Sequence, residues 1–71
     1  MELSDISARN QLRGTITAVA LGGIMAEVTV DIGGQEVVAA ITRASVERMG
    51  LAVGQPIVAI IKSTEVMLAV E

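Results

Sequence analysis

The chain has no cysteine, no histidine and no aromatic residue, and it has a single proline. Each absence closes a route. Without cysteine there is no disulfide staple, and without cysteine and histidine a structural zinc site lacks its usual ligands. A domain of 71 residues buries a modest share of its surface and is marginal alone. With staples and metal gone, oligomerisation is the remaining remedy. The lack of aromatics removes the stacking platforms that single-stranded nucleic acid needs. The net charge of −3 removes the basic surface that a phosphate backbone needs, although one local basic pocket for a small anion remains open. No apolar run approaches the length of a membrane span. The start, Met1-Glu2-Leu3-Ser4-Asp5, is acidic and polar rather than basic and then apolar. A cytoplasmic chain with no membrane and no nucleic-acid partner is therefore expected.

What is present is aliphatic. Hydrophobic residues make up 52% of the chain, high for so short a sequence, so part of this surface is expected to face another subunit. Val and Ile dominate, with much Ala, and β-branched residues favour strands. Residues 1–5 read as a loose tail and residues 6–71 as a single domain. From Leu12, one strand face is expected to carry Leu12, Gly14, Ile16, Ala18 and Ala20. Gly22-Gly23 marks a turn. Ala26, Val28, Val30 and Ile32 alternate with Met25, Glu27, Thr29 and Asp31, the pattern of a half-buried strand. Gly33-Gly34 suits a two-residue hairpin, and a return strand runs from Gln35 to about Ile41. Thr42 is placed to cap a short helix that Gly50 ends. After a turn at Val53-Gly54-Gln55-Pro56, Ile57 to Ile61 reads as a strand buried on both faces. Lys62-Ser63-Thr64-Glu65 interrupts, and Val66 to Val70 forms a last strand. Three strands, a short helix and two strands is the order of an all-β, OB-fold-like five-stranded barrel.

Few residues can carry chemistry. Glu27 and Asp31 share a strand face but lie roughly 13 Å apart at strand rise, too far for an acid–base pair. No catalytic residues are expected, and no enzyme. An anion site needs cations, hydroxyls and backbone N–H groups, with carboxylates kept away. Three segments have that character: Ser7-Ala8-Arg9-Asn10, Thr42 with Ser45, and Lys62-Ser63. Each also has a plain structural reading. Ser7 and Asn10 start a strand and Arg9 is a solvated charge. Thr42 and Ser45 cap a helix, and Lys62 blunts a strand end. Met25, Met49 and Met67 fill core or interface.

Taken together, Ile6-Ser7-Ala8-Arg9-Asn10-Gln11-Leu12, Ala26-Glu27-Val28, Asp31-Ile32-Gly33-Gly34, Ile41-Thr42, Ser45-Val46 and Lys62-Ser63-Thr64-Glu65-Val66 resemble the molbindin (Mop) family, related to TOBE domains. The resemblance covers nearly the whole chain from Ile6. It implies an OB-like barrel that exchanges strands between subunits, and a homohexamer arranged as a trimer of dimers. It implies binding of molybdate or tungstate between subunits, for intracellular molybdenum storage or homeostasis. It places Ser7, Ala8, Arg9, Thr42, Ser45, Lys62 and Ser63 on the oxyanion. Asn10 belongs to the motif without an assigned role. The metal would enter as its oxyanion, with no direct ligation by the protein. The acidic Glu2 and Asp5 precede the motif, and a tail folded near the anion would weaken binding. The alternative is a stand-alone protein-interaction or regulatory barrel without anion binding.

Overall fold

A computed structural model of the chain describes residues 5–71. Most of the expected tail, residues 1–4, lies outside the described residues. The elements are β1 (Asn10–Leu21), β2 (Met25–Asp31), β3 (Glu36–Thr42), α1 (Arg43–Met49) and β4 (Pro56–Ile61), followed by a 3-10 turn at Ser63–Glu65. The strands form one sheet in the order β3-β2-β1-β4, with every neighbouring pair antiparallel. Among the described residues no helix is long and apolar enough to cross a membrane.

The central strand β2 follows its alternation. Ala26, Val28 and Val30 are buried, Ile32 packs against them, and Met25 and Glu27 are exposed. The β2–β3 turn carries Gly33 and Gly34 at φ 77° and 92°, values that suit glycine in a tight hairpin. The Ile32 N–H donates to the Gln35 carbonyl (2.7 Å), and Asp31 Oδ1 accepts the Gly34 N–H (3.0 Å). Thr42 caps α1 and Gly50 ends it in the left-handed region. Between them Val46 points into the core formed by Ile16, Ala26, Val28 and Val30. Burying each of these Val and Ile side chains contributes roughly 1.5–3 kcal/mol.

Strand β1 departs from the expected phase. Its register runs Ile16↔Val30 and then Ala18↔Thr29, so Thr17 is an extra residue. Beyond this bulge Val19, not Ala18 or Ala20, turns inward and packs on the core. A valine fills that space better than an alanine, so the slip buries more apolar surface. On the near side of the bulge, Gly14 passes so close to β2 that a side chain there would overlap the Asp31 carbonyl.

Two further expectations change at the sheet edges. The run Ile57 to Ile61 is half-buried rather than buried on both faces, with Ile60 exposed. The reason is position: β4 is an edge strand with one neighbour. Val66 to Val70 forms no strand within the chain. A strand needs a neighbour to satisfy its N–H and C=O groups, and here the segment leaves Met67, Leu68 and Val70 at 92%, 94% and 98% exposure. The two sheet edges, meanwhile, curl towards each other. Residues 37–41 of β3 and 57–61 of β4 line one apolar cavity of about 490 Å³, though these strands are the outermost two. The accessible surface is 5478 Å², whereas a compact monomer of this mass exposes roughly 4,200 Å².

Candidate functional site

The pairing of β1 with β4 ends at Asn10↔Ile61. Arg9 and Lys62 therefore stand one residue beyond the last pair, on adjacent strand ends, with Ala8 and Ser63 one residue further. Sequence positions more than fifty residues apart meet here because the antiparallel register requires it. Arg9, Lys62, Ser7 and Ser63 are exposed and Ala8 is half-buried. Neither Arg9 nor Lys62 has a carboxylate partner among the described residues, whereas Arg43, at the other end of the sheet, pairs with Glu47 (3.5 Å). Two side-chain amides brace this end. Asn10 Nδ2 donates to the Ile61 carbonyl (3.1 Å), and Gln11 Nε2 donates to the Ala8 carbonyl (2.9 Å). Gln11 was not among the residues the sequence singled out. Its signal was only its place one residue after the Ser-Ala-Arg-Asn run.

Thr42 and Ser45 lie elsewhere. Thr42 pairs with Met25, next to the β1–β2 turn. The start of α1 is tied to that turn by the Arg43 N–H on the Ile24 carbonyl (2.8 Å) and by Arg43 Nη1 on the Gly22 carbonyl (3.2 Å). The turn follows Leu21, the far end of β1 from Asn10. At strand rise this separates the two groups by on the order of 30 Å. Thr42 Oγ1 accepts the Ser45 N–H (3.0 Å) and donates to Ser45 Oγ (2.8 Å). The capping role of this pair is thus realised, and it leaves the Ser45 hydroxyl hydrogen available to a further acceptor.

One chain therefore holds two half-sets at opposite ends of its sheet. One carries Ser7, Ala8, Arg9, Lys62 and Ser63, cationic and rich in N–H groups. The other carries the Thr42 and Ser45 hydroxyls, with its nearby cation Arg43 already engaged. No carboxylate belongs to either set, although Asp5 and Glu65 are exposed close by in sequence to the first.

Comparison with known proteins identifies the family and the fold. Residues 6–68 match the TOBE domain family. The chain is 47% identical over 64 residues to the molybdenum-pterin-binding protein 3 of Clostridium pasteurianum, covering 89% of this chain and 94% of that protein. It is 42% identical over 66 residues to the molybdenum transport protein ModE of Azotobacter vinelandii, but spans only 24% of that longer protein. Among solved structures, a molybdate-binding protein from Sporomusa ovata superposes with a TM-score of 0.89 at 38% identity, over 92% of this chain and 97% of that one. The cytoplasmic molybdate-binding protein ModG, solved with molybdate bound, gives 0.80 at 38% identity over 83% of this chain and 43% of that one. The curled sheet with its one short helix is the OB-like architecture of these proteins. On this match of sequence and fold, the chain belongs to the TOBE domain family, among the molbindin-type (Mop) proteins.

Proposed function

We propose that this chain binds molybdate or tungstate, as the intact tetrahedral dianion, at sites completed by two copies of the chain. The observation that carries the reading is the Asn10↔Ile61 register, which sets Arg9 and Lys62 side by side without a carboxylate partner among the described residues. Burying a dianion is costly unless its charge is offset and its oxygens are hydrogen-bonded. Arg9 supplies a planar pair of N–H donors and Lys62 a compact charge. Ser7, Ser63 and backbone N–H groups around Ala8 add donors. Thr42 and Ser45 of a second copy complete the shell, because within one chain they are out of reach. A two-fold axis that brings one copy's cationic end to the other's hydroxyl end creates two equal sites.

The relatives' names also mention a pterin. This chain has no aromatic side chain to stack on such a ring, and no buried polar group among the described residues to pair with its nitrogens. Its donors suit an oxyanion. Cavity size then separates molybdate from the smaller sulfate, while tungstate, nearly the same size as molybdate, binds about as well.

The assembly is a homo-oligomer, a hexamer built as a trimer of dimers, in which residues 6–71 act as one domain. Two features support subunit exchange. The apolar tail Val66–Val70 forms no strand within the chain, and the outermost strands β3 and β4 line an apolar cavity of about 490 Å³. A partner's tail laid there gives the fifth strand of the barrel. The biological role is storage and homeostasis of molybdenum in the cytoplasm, by binding and release rather than catalysis.

Calorimetric titration of anion-free protein with molybdate, repeated in excess sulfate, tests the reading. Saturable binding that survives sulfate is expected. Absence of binding, or its abolition by sulfate, would overturn the anion assignment in favour of a protein-interaction module.

A further inference from the structure

We infer that Asn10 and Gln11 are positioning residues that set the two backbone segments of the cationic half-site. This rests on the oxyanion reading above.

The ladder between β1 and β4 stops at Asn10↔Ile61. Beyond it, Ser7-Ala8-Arg9 and Lys62-Ser63 lose the support of strand pairing at the point where an anion requires fixed donors. Two amide side chains act here, one reinforcing the last carbonyl of the ladder and the other holding a carbonyl beyond it. Asn10 Nδ2 grips the carbonyl of Ile61, the residue just before Lys62, across 51 positions of sequence. Gln11 Nε2 reaches back to the carbonyl of Ala8, the residue just before Arg9. Both bonds are partly buried, so solvent competes less for them.

The choice of carbonyl matters. A peptide unit is planar and trans, so fixing its C=O fixes the N–H on its other side, pointing the opposite way. Holding the Ile61 carbonyl orients the Lys62 N–H, and holding the Ala8 carbonyl orients the Arg9 N–H. Neither N–H donates to another backbone group among the described residues. The clamps therefore turn two unspent N–H groups away from the sheet, at the same residues whose side chains carry the positive charges. They also set where the Arg9 and Lys62 side chains leave the backbone. A site that separates molybdate from sulfate by size needs this rigidity, because a loose shell contracts around the smaller ion.

The variants Asn10→Leu and Gln11→Met keep approximate size and remove the donor. Calorimetry on wild type, Arg9→Ala, Asn10→Leu and Gln11→Met, with molybdate and separately with sulfate, reads affinity and stoichiometry independently. Thermal unfolding of the anion-free proteins is followed in parallel. A positioning role lowers molybdate affinity about tenfold in each clamp variant, the worth of one hydrogen bond. It also narrows the molybdate-to-sulfate ratio and leaves stoichiometry unchanged. A merely structural role lowers the unfolding temperature or the stoichiometry, while the sites that remain keep their affinity and selectivity; that result overturns the inference. Wild-type binding that Arg9→Ala weakens and the clamp variants leave intact also overturns it, with the oxyanion reading standing. Wild type that binds no molybdate removes both.

Discussion

The two ends of β1 are made differently. At the Thr42 end the polar groups are local: the Thr42 hydroxyl caps the helix through Ser45, three residues on, and only the Ser45 hydroxyl hydrogen is left to give. At the Asn10 end they are brought together by pairing between residues 51 apart, and the two cations are left without carboxylate partners among the described residues. The first end folds whether or not an anion is present. The second holds positive charge that gains stability only when an anion or a partner arrives. A site joining them takes its hydroxyl donors from one end and its charge from the other.

The strongest way to break this comparison is to prevent the ends of two copies from meeting. Leu68→Asp places a charge where the exposed tail is proposed to be buried by a partner, and forfeits roughly 1.5–3 kcal/mol of apolar burial per subunit besides. Native mass spectrometry is expected to show the oligomer replaced by smaller species, with molybdate binding lost too. An intact oligomer would separate the tail from assembly.

Next comes charge. Arg9→Ala and Lys62→Ala are each expected to weaken molybdate binding by about 2 kcal/mol or more, the range for removing one partner of a buried charge. The anion-free protein should unfold at an unchanged temperature, since neither side chain has an ion-pair partner among the described residues to lose. Thr42→Ala should behave otherwise. It removes the cap as well as a hydroxyl, at about 1 kcal/mol of stability before any anion is added. Parallel thermal denaturation distinguishes the two ends directly.

The finest discrimination comes from mixing subunits. Protein carrying Arg9→Ala and protein carrying Thr42→Ala with Ser45→Ala should each bind poorly. Unfolded together and refolded in equal amounts, about half of the dimers are mixed, and each has one intact and one doubly damaged site by two-fold symmetry. Recovery of about a quarter of the wild-type high-affinity sites is the expected calorimetric stoichiometry. No recovery would place both half-sets of a site in one chain.

Much of this architecture was legible in the residues. Strand β2 reads directly because alternate residues face water and core. Gly33-Gly34, Thr42 and Gly50 mark their turn and caps through backbone demands that few residue types meet. The bulge at Thr17 was hidden because Thr-Ala-Val-Ala tolerates either phase, and only packing against β2 selects Val19 over its alanine neighbours. The half-exposure of β4 and the unpaired Val66 to Val70 were hidden for another reason. Apolarity reports that a surface is to be covered, not whether the cover belongs to the same chain. The donor residues were selected by chemical type, but their division into two ends depends on register, which no local pattern contains. Gln11 escaped because an amide that braces a carbonyl resembles any polar residue at a strand start.

The length of β1 between those two ends has a consequence for dosage. When a site is divided across two copies, its abundance well below the association threshold follows the square of the subunit concentration rather than the first power. In that dilute range, halving the supply of such a chain would remove nearer three quarters of its capacity and doubling it would raise it about fourfold, by the mass action that governs any dimer, whereas above the threshold capacity would follow supply linearly. Synthesis level alone would then turn a linear supply of protein into a steep change in how much anion is held.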